Sequence, residues 1–94
     1  MMIPGLSDKN EVKKKRQDIT RMARTYCYDN NLPFNSIWDQ LYYILKQQTN
    51  VDIIHIYNNR TKKSRTKLDI VEMKGLMNKL HEITERYVQW KKKS

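Results

Sequence analysis

Residues 66–90 read TKLDIVEMKGLMNKLHEITERYVQW, and the spacing of the apolar side chains in this stretch decides the fold. Met73, Leu76, Leu80, Ile83, Tyr87 and Trp90 follow one another at gaps of three, four, three, four and three. That rhythm keeps one stripe of a helix apolar for about five turns. Ile70 and Met77 widen the stripe, and Thr84 lies on it. Glu72, Lys74, Lys79, Glu82, Glu85 and Arg86 occupy the opposite, solvated face. Thr66 serves as N-cap, with Asp69 three residues on in a loose capping box. Asp69 and Glu72 sit near the positive end of the helix dipole, and Arg86 with lysines 91–93 near its negative end. The pattern therefore predicts one long helix over 66–90. Gly75 costs such a helix about 1 kcal/mol relative to alanine and gives a neighbouring helix room to approach. The stripe reads as a core face. The alternative is a homodimer seam through this C-terminal helix, since the gaps also fit about three heptads.

Residues 58–67, which lead into this stretch, are the most polar of the chain. Arg60, Lys62, Lys63, Arg65 and Lys67 follow the turn formers Asn58 and Asn59, with Thr61, Ser64 and Thr66 between them and no acid. Lysine, arginine and hydroxyl side chains are the donors that grip phosphate oxygens. The free N–H groups of the following helix start also suit an anion. This segment is the first candidate for nucleic-acid contact; the alternative is a solvated linker. It lacks the paired glycines of a phosphate loop, so nucleotide hydrolysis is not implied.

Residues 50–57 leave two readings open. Val51, Ile53, Ile54, Ile56 and Tyr57 favour a strand by propensity, but a lone strand has nothing to pair with outside a dimer. Read as a helix, they place Ile53, Ile56 and Tyr57 on one face with Asp52 in the first turn, and this reading is preferred. His55 reads as an exposed polar residue. Before it, a helix over 36–48, capped by Asn35 or Ser36, turns Ile37, Trp38, Leu41, Tyr42 and Leu45 inward. Trp38, Tyr42 and Tyr43 are expected to cluster with Phe34 in the core rather than to stack on bases. Asn30, Asn31 and Pro33 break the chain, with Leu32 and Phe34 tucked beneath the loop.

A first helix runs over about 8–29, capped by Ser7, with Val12, Ile19, Met22, Ala23 and Tyr26 on one face. Lys13, Lys14, Lys15 and Arg16 form a basic run near its start, and Arg21 and Arg24 continue it. Lysines near a helix N-terminus oppose the dipole. That mildly favours a function for Lys13, Lys14, Arg16, Arg21 and Arg24 as a second phosphate-contacting surface. The expected architecture is all-α: a small bundle of three to four helices with a long C-terminal helix. Residues 1–7 read as a flexible arm, 8–90 as one domain and 91–94 as a basic tail.

Nineteen Lys and Arg against ten Asp and Glu give a net charge of +9, which points to a polyanionic partner. One cysteine, Cys27, excludes an internal disulfide framework and a cysteine-based zinc site. The two histidines are far apart and make no metal constellation. No apolar run reaches membrane-spanning length, and residues 1–6 do not form a signal-peptide apolar region; a cytoplasmic location in a bacterial host, without membrane contact, is expected. No carboxylate pair or nucleophile–base spacing suggests catalysis. Asp39 and Asp52 read as a surface acid and a cap, and no cofactor is expected.

Several dispersed residues carry a family likeness. Trp38, Leu41 and Tyr42 form a Trp-x-x-Leu-Tyr group, followed by Val51-Asp52 and Tyr57-Asn58. A basic run, Lys67-Leu68-Asp69-Ile70 and Leu80-x-x-Ile83 complete the order. Over about residues 13–88 this resembles the C-terminal domain of antirepressor-like proteins from bacteriophages and prophages of Gram-positive bacteria. The resemblance implies a helical fold, no catalysis, and regulation of gene expression in a mobile element. Such proteins usually carry a separate N-terminal DNA-binding or regulatory domain, expected to be absent here. The module would then act alone, as an oligomer or by binding another protein. The family supplies no functional residues to carry over. The leading expectation is a regulator that contacts nucleic acid, with Arg65 or Asn59 available for base reading. No helix-turn-helix signature is evident, because the turn at 30–34 contains proline. The second expectation is a protein-binding inhibitor or antirepressor that blocks a repressor, replication factor or defence enzyme. Its anchors would be exposed aromatics, Tyr43 and Trp90 foremost, with Tyr26 and Tyr28 to be watched.

Overall fold

The computed structural model describes residues 4–93, with side chains described over 10–90. Five helices follow in order: α1 (Pro4–Asp29), α2 (Ser36–Thr49), α3 (Ile53–Asn58), α4 (Lys67–Met73) and α5 (Met77–Lys93). No strand occurs among the described residues. The all-α expectation holds, and residues 50–57 resolve towards helix. Asp52 is the N-cap of α3, its carboxylate accepting the His55 N–H at 3.1 Å.

The helix predicted over 66–90 is two helices. Gly75 has φ +70°, and the amides after α4 turn back on it: Gly75 N–H to Glu72 O at 3.1 Å and Leu76 N–H to Val71 O at 3.0 Å. These two bonds form a Schellman motif, which needs a left-handed residue that glycine supplies without steric cost. The apolar gaps ran through the break because Leu76 and Met77 remain near enough in phase to reach the same core. Asn31 (φ 55°) ends α1 in the same manner, with Leu32 N–H to Cys27 O at 2.8 Å, and Asn50 (φ 64°) ends α2.

Other boundaries also shift. α1 is already helical at Pro4, a favoured first-turn residue, so Ser7 lies inside the helix; residues 1–3 of the expected arm fall outside the described residues. At the other end α5 continues through Lys93, so lysines 91–93 extend the helix, and Ser94 falls outside the described residues. Asn35 is the N-cap of α2 but makes no side-chain cap bond; Ser36 Oγ instead donates to Pro33 O at 2.8 Å.

α1 packs most extensively against α5, α2 also packs on α5, and α3 pairs with α4. The core joins Ile19, Ala23 and Cys27 of α1 to Ile37, Leu41, Tyr42 and Leu45 of α2. Ile53, Ile70, Val71, Met77, Leu80 and Ile83 close it. Ala23 and Cys27 keep the α1 stripe small, which lets α5 approach. Thr84, also buried, satisfies its hydroxyl on Leu80 O at 2.8 Å. His81 ties α5 to α1 at the core's edge, with Nε2 3.5 Å from Asp18 and Nδ1 3.3 Å from Glu85. Leu80 and Ile83 lie inside the chain's own core, the core-face reading of the stripe; a dimer seam along it would have to open that core. Met73 and Trp90, placed on the stripe by spacing, are instead 60% and 63% exposed.

Candidate nucleic-acid interface

Over residues 10–18 of α1 no side chain is buried, so the basic run is a surface. Arg16 fixes where that surface lies. Its Nη1 is 2.8 Å from Asp69 Oδ1 and 3.6 Å from Glu72 Oε1, and its Nη2 donates to Thr66 Oγ1 at 3.4 Å. Thr66 and Asp69 form the reciprocal capping box read from the sequence. Asp69 N–H donates to Thr66 Oγ1 at 3.1 Å, and Thr66 N–H to Asp69 Oδ2 at 2.8 Å. The Thr66 amide first, and then the Arg16 guanidinium, hold the Asp69 carboxyl below the usual carboxylate range. The start of α4 is thus filled by the chain's own carboxylate, which overturns its expected use as an open anion site.

The clasp brings the two basic segments together. Lys13 and Arg16 line a groove of about 890 Å³ with Glu72. Lys62 and Arg65 border a depression of about 300 Å³ with Asp69 and the same Glu72. Lys13, Lys14, Lys62 and Lys63 are exposed, and Arg65 is half-buried.

The predicted arginines are mostly occupied. Arg60 lies 3.8 Å over the Tyr57 ring. Its Nη1 donates to Tyr57 O at 2.8 Å, and its Nε and Nη2 donate to Lys63 O at 3.3 and 3.2 Å. Arg60 therefore folds the loop around itself; Arg16 is likewise held by acids. Arg21 pairs with Asp18 at 3.0 Å while staying exposed, and Arg24 stands 5.7 Å over the Phe34 ring. Lys67 Nζ lies 5.1 Å over Tyr57 and 6.0 Å over Tyr42, within cation–π range.

A second groove, of about 650 Å³, opens on the other side of Arg16 and is lined by Phe34, Trp38, Tyr42, Tyr57 and Lys67 among others. Trp38 meets Phe34 edge-on at 5.8 Å and lies nearly parallel to Tyr42 at 5.9 Å. Tyr42 is buried, and that burial pushes its phenol far above the ordinary value. Trp38 is half-buried and Phe34 is 39% exposed, so the aromatic cluster expected to be core is a core with an open edge. Leu32 is also more exposed than a tucked residue would be. Tyr43 leaves the cluster and stands 60% exposed. Tyr57 was not singled out as a site residue; its signal was Arg60 three positions on, which places a cation within reach of its ring.

Tyr28, Tyr43 and Trp90 are exposed, whereas Tyr26 packs edge-on against Tyr87 at 5.6 Å. Among the described residues no group of three His, Cys, Asp or Glu side chains is placed to hold a metal ion, and no helix is long and apolar enough to cross a membrane. Compared with known proteins, the chain matches no family model, no curated protein and no solved structure.

Proposed function

We propose that this chain is a small, non-catalytic regulatory protein that contacts nucleic-acid phosphates, acting in the cytoplasm of a bacterial host as its antirepressor-like resemblance implies. The observation that carries the reading is the Arg16 clasp, which joins positions 53 residues apart. Lys13 of α1 lines a groove that shares Glu72 with the depression bordered by Lys62 and Arg65 of the loop, and Lys14 and Lys63 are exposed on the same two segments. Exposed lysines on two elements joined by one clasp supply cations of the kind a phosphate backbone requires. Arg16 and Arg60, which could have competed for this role, are held by partners within the chain and shape the surface instead.

Binding of the pure protein to labelled mixed-sequence DNA, single-stranded and duplex, across a salt series tests the reading. Each phosphate contact contributes about 0.9 to the log–log salt slope on duplex and about 0.7 on single strands. Replacing Lys13, Lys14, Lys62, Lys63 and Arg65 with Ala should flatten that slope while the fold is retained. No binding of either DNA at low salt, or a slope unmoved by the replacements, overturns the reading.

The exposure of Tyr28, Tyr43 and Trp90 favours a second reading, a protein-binding inhibitor or antirepressor that blocks a repressor, replication factor or defence enzyme. Exposed aromatics are the anchors such interfaces use. A homodimer formed through α5 would draw on the end near Trp90 rather than on the buried stripe. Either interface would weaken far less with salt than phosphate contact does.

A further inference from the structure

We propose that the groove beside the lysine footprint receives an unstacked base, so that the preferred partner is single-stranded nucleic acid. The inference rests on the phosphate-contact reading and adds the class of strand. A protein that only tracks a duplex backbone has no use for an open aromatic edge next to its lysines. Here Phe34 and Trp38 present such an edge, in a groove whose volume of about 650 Å³ is within the range of small-molecule sites, about 300–1,000 Å³. The ring faces deeper in are already covered, since Lys67 caps Tyr42 and Tyr57. Arg24 stands 5.7 Å over the Phe34 ring, so the open surface is the part of Phe34 that Arg24 leaves uncovered, the residue being 39% exposed, and the outer part of Trp38.

Charge at the rim selects the same occupant. Among the lining residues Asp39 is the one acid. Arg16, which also lines the groove, is neutralised by Asp69. Lys67 and the Arg24 guanidinium over Phe34 remain as cations next to the apolar edge. A base on Phe34 and Trp38, with its flanking phosphates on Lys67 and Arg24, satisfies both. Aromatic platforms flanked by cations bind single strands in this way because every base has a π-face. A paired base cannot enter the groove without leaving its duplex.

The full chain carrying Trp90→Phe keeps Trp38 as its sole indole. Its affinity is measured for a mixed-sequence single strand, for an abasic strand of equal length and charge, and for the duplex. The abasic strand should bind about five- to a hundredfold more weakly than the base-bearing one, and only the base-bearing strand should quench Trp38 emission. Phe34→Ala, at a position already partly exposed, should narrow the gap between the base-bearing and abasic affinities. Equal binding of both strands with Trp38 emission unmoved overturns base docking and leaves phosphate contact standing. Tighter binding of the duplex than of the single strand also overturns it. Binding of no strand removes both readings. Quenching by a polyglutamate peptide and not by the strand overturns the proposal in favour of an acidic protein segment.

Discussion

Replacing Gly75 by Ala has opposite consequences for a continuous helix and for the broken one seen here. In an unbroken helix over 66–90, alanine at position 75 would stabilise the chain by about 1 kcal/mol. In the observed structure Gly75 sits at φ +70°, where its amide closes on Glu72 O and the next amide on Val71 O. A Cβ there would meet nothing within 4 Å, so the cost is one of backbone conformation and not of crowding. A left-handed non-glycine residue costs roughly 1–2 kcal/mol. Alanine recovers part of this, about 0.4–1 kcal/mol, by restricting the unfolded chain. The net expectation is a loss of about 1 kcal/mol. For a domain of this size that lowers Tm by about 4–8 °C. Asn31 and Asn50 already hold positive φ in this chain, so Gly75→Asn should lose less than Gly75→Ala. Thermal melts followed by far-ultraviolet circular dichroism on the three proteins provide the measurement. A Gly75→Ala chain that melts at or above the parent temperature would refute the broken-helix account.

Three further outcomes follow from the clasp and the loop. Arg60→Ala should lower Tm and loosen residues 60–67 while leaving the salt slope of DNA binding almost unchanged, because its guanidinium is bound to Tyr57 O and Lys63 O; Lys62→Ala should do the reverse. Arg16→Ala and Asp69→Asn should be non-additive in a double-mutant cycle, with a coupling of about 0.5–1 kcal/mol at these partly exposed side chains; full additivity would remove the clasp as an energetic link. Asp52 and Asp69 both have carboxyls held below their ordinary value of 3.8, chiefly by the His55 and Thr66 amides respectively. A depressed folded value means that their stabilising contribution is complete above the unfolded value and is lost as pH falls through the folded one. Melts should therefore be insensitive to these groups near neutrality and should weaken below pH 3.8, with Asp69→Asn flattening that acid limb.

Much of the fold could be read from short-range chemistry. The three-and-four spacing located the core residues Leu80 and Ile83, and Thr66 with Asp69 announced a helix start that the structure retains. The turn at 30–34 fell where Asn and Pro put it. Gly75 misled because glycine inside an apolar rhythm has two physical meanings, a tolerated weakness or a left-handed stop, and the rhythm ran on across the stop. The candidate site was less legible. Nothing near Arg16 in sequence says that its partners lie 53 residues away, so a basic run read as free charge conceals one cation that organises the surface. The same holds for Arg60, whose partners are backbone carbonyls and a ring. Helical spacing turns Trp38 inward and the loop is expected to cover Phe34, but sequence spacing does not reveal which edge of an aromatic cluster stays open.

The pairing of α1 with α5 also governs the order of events during synthesis. α1 is made before α2, α3 and α4, and α5, on which it packs most extensively, is made after them. Until α5 is complete, Ile19, Ala23 and Cys27 have no full partner surface, and the intervening helices cannot close the core alone. Folding is thereby deferred until α5 has emerged and depends on joining distant parts of the chain, a requirement that slows folding relative to helical proteins built from local contacts. During that interval the nascent chain presents an unpaired apolar stripe beside a run of lysines, a combination that invites chaperone capture.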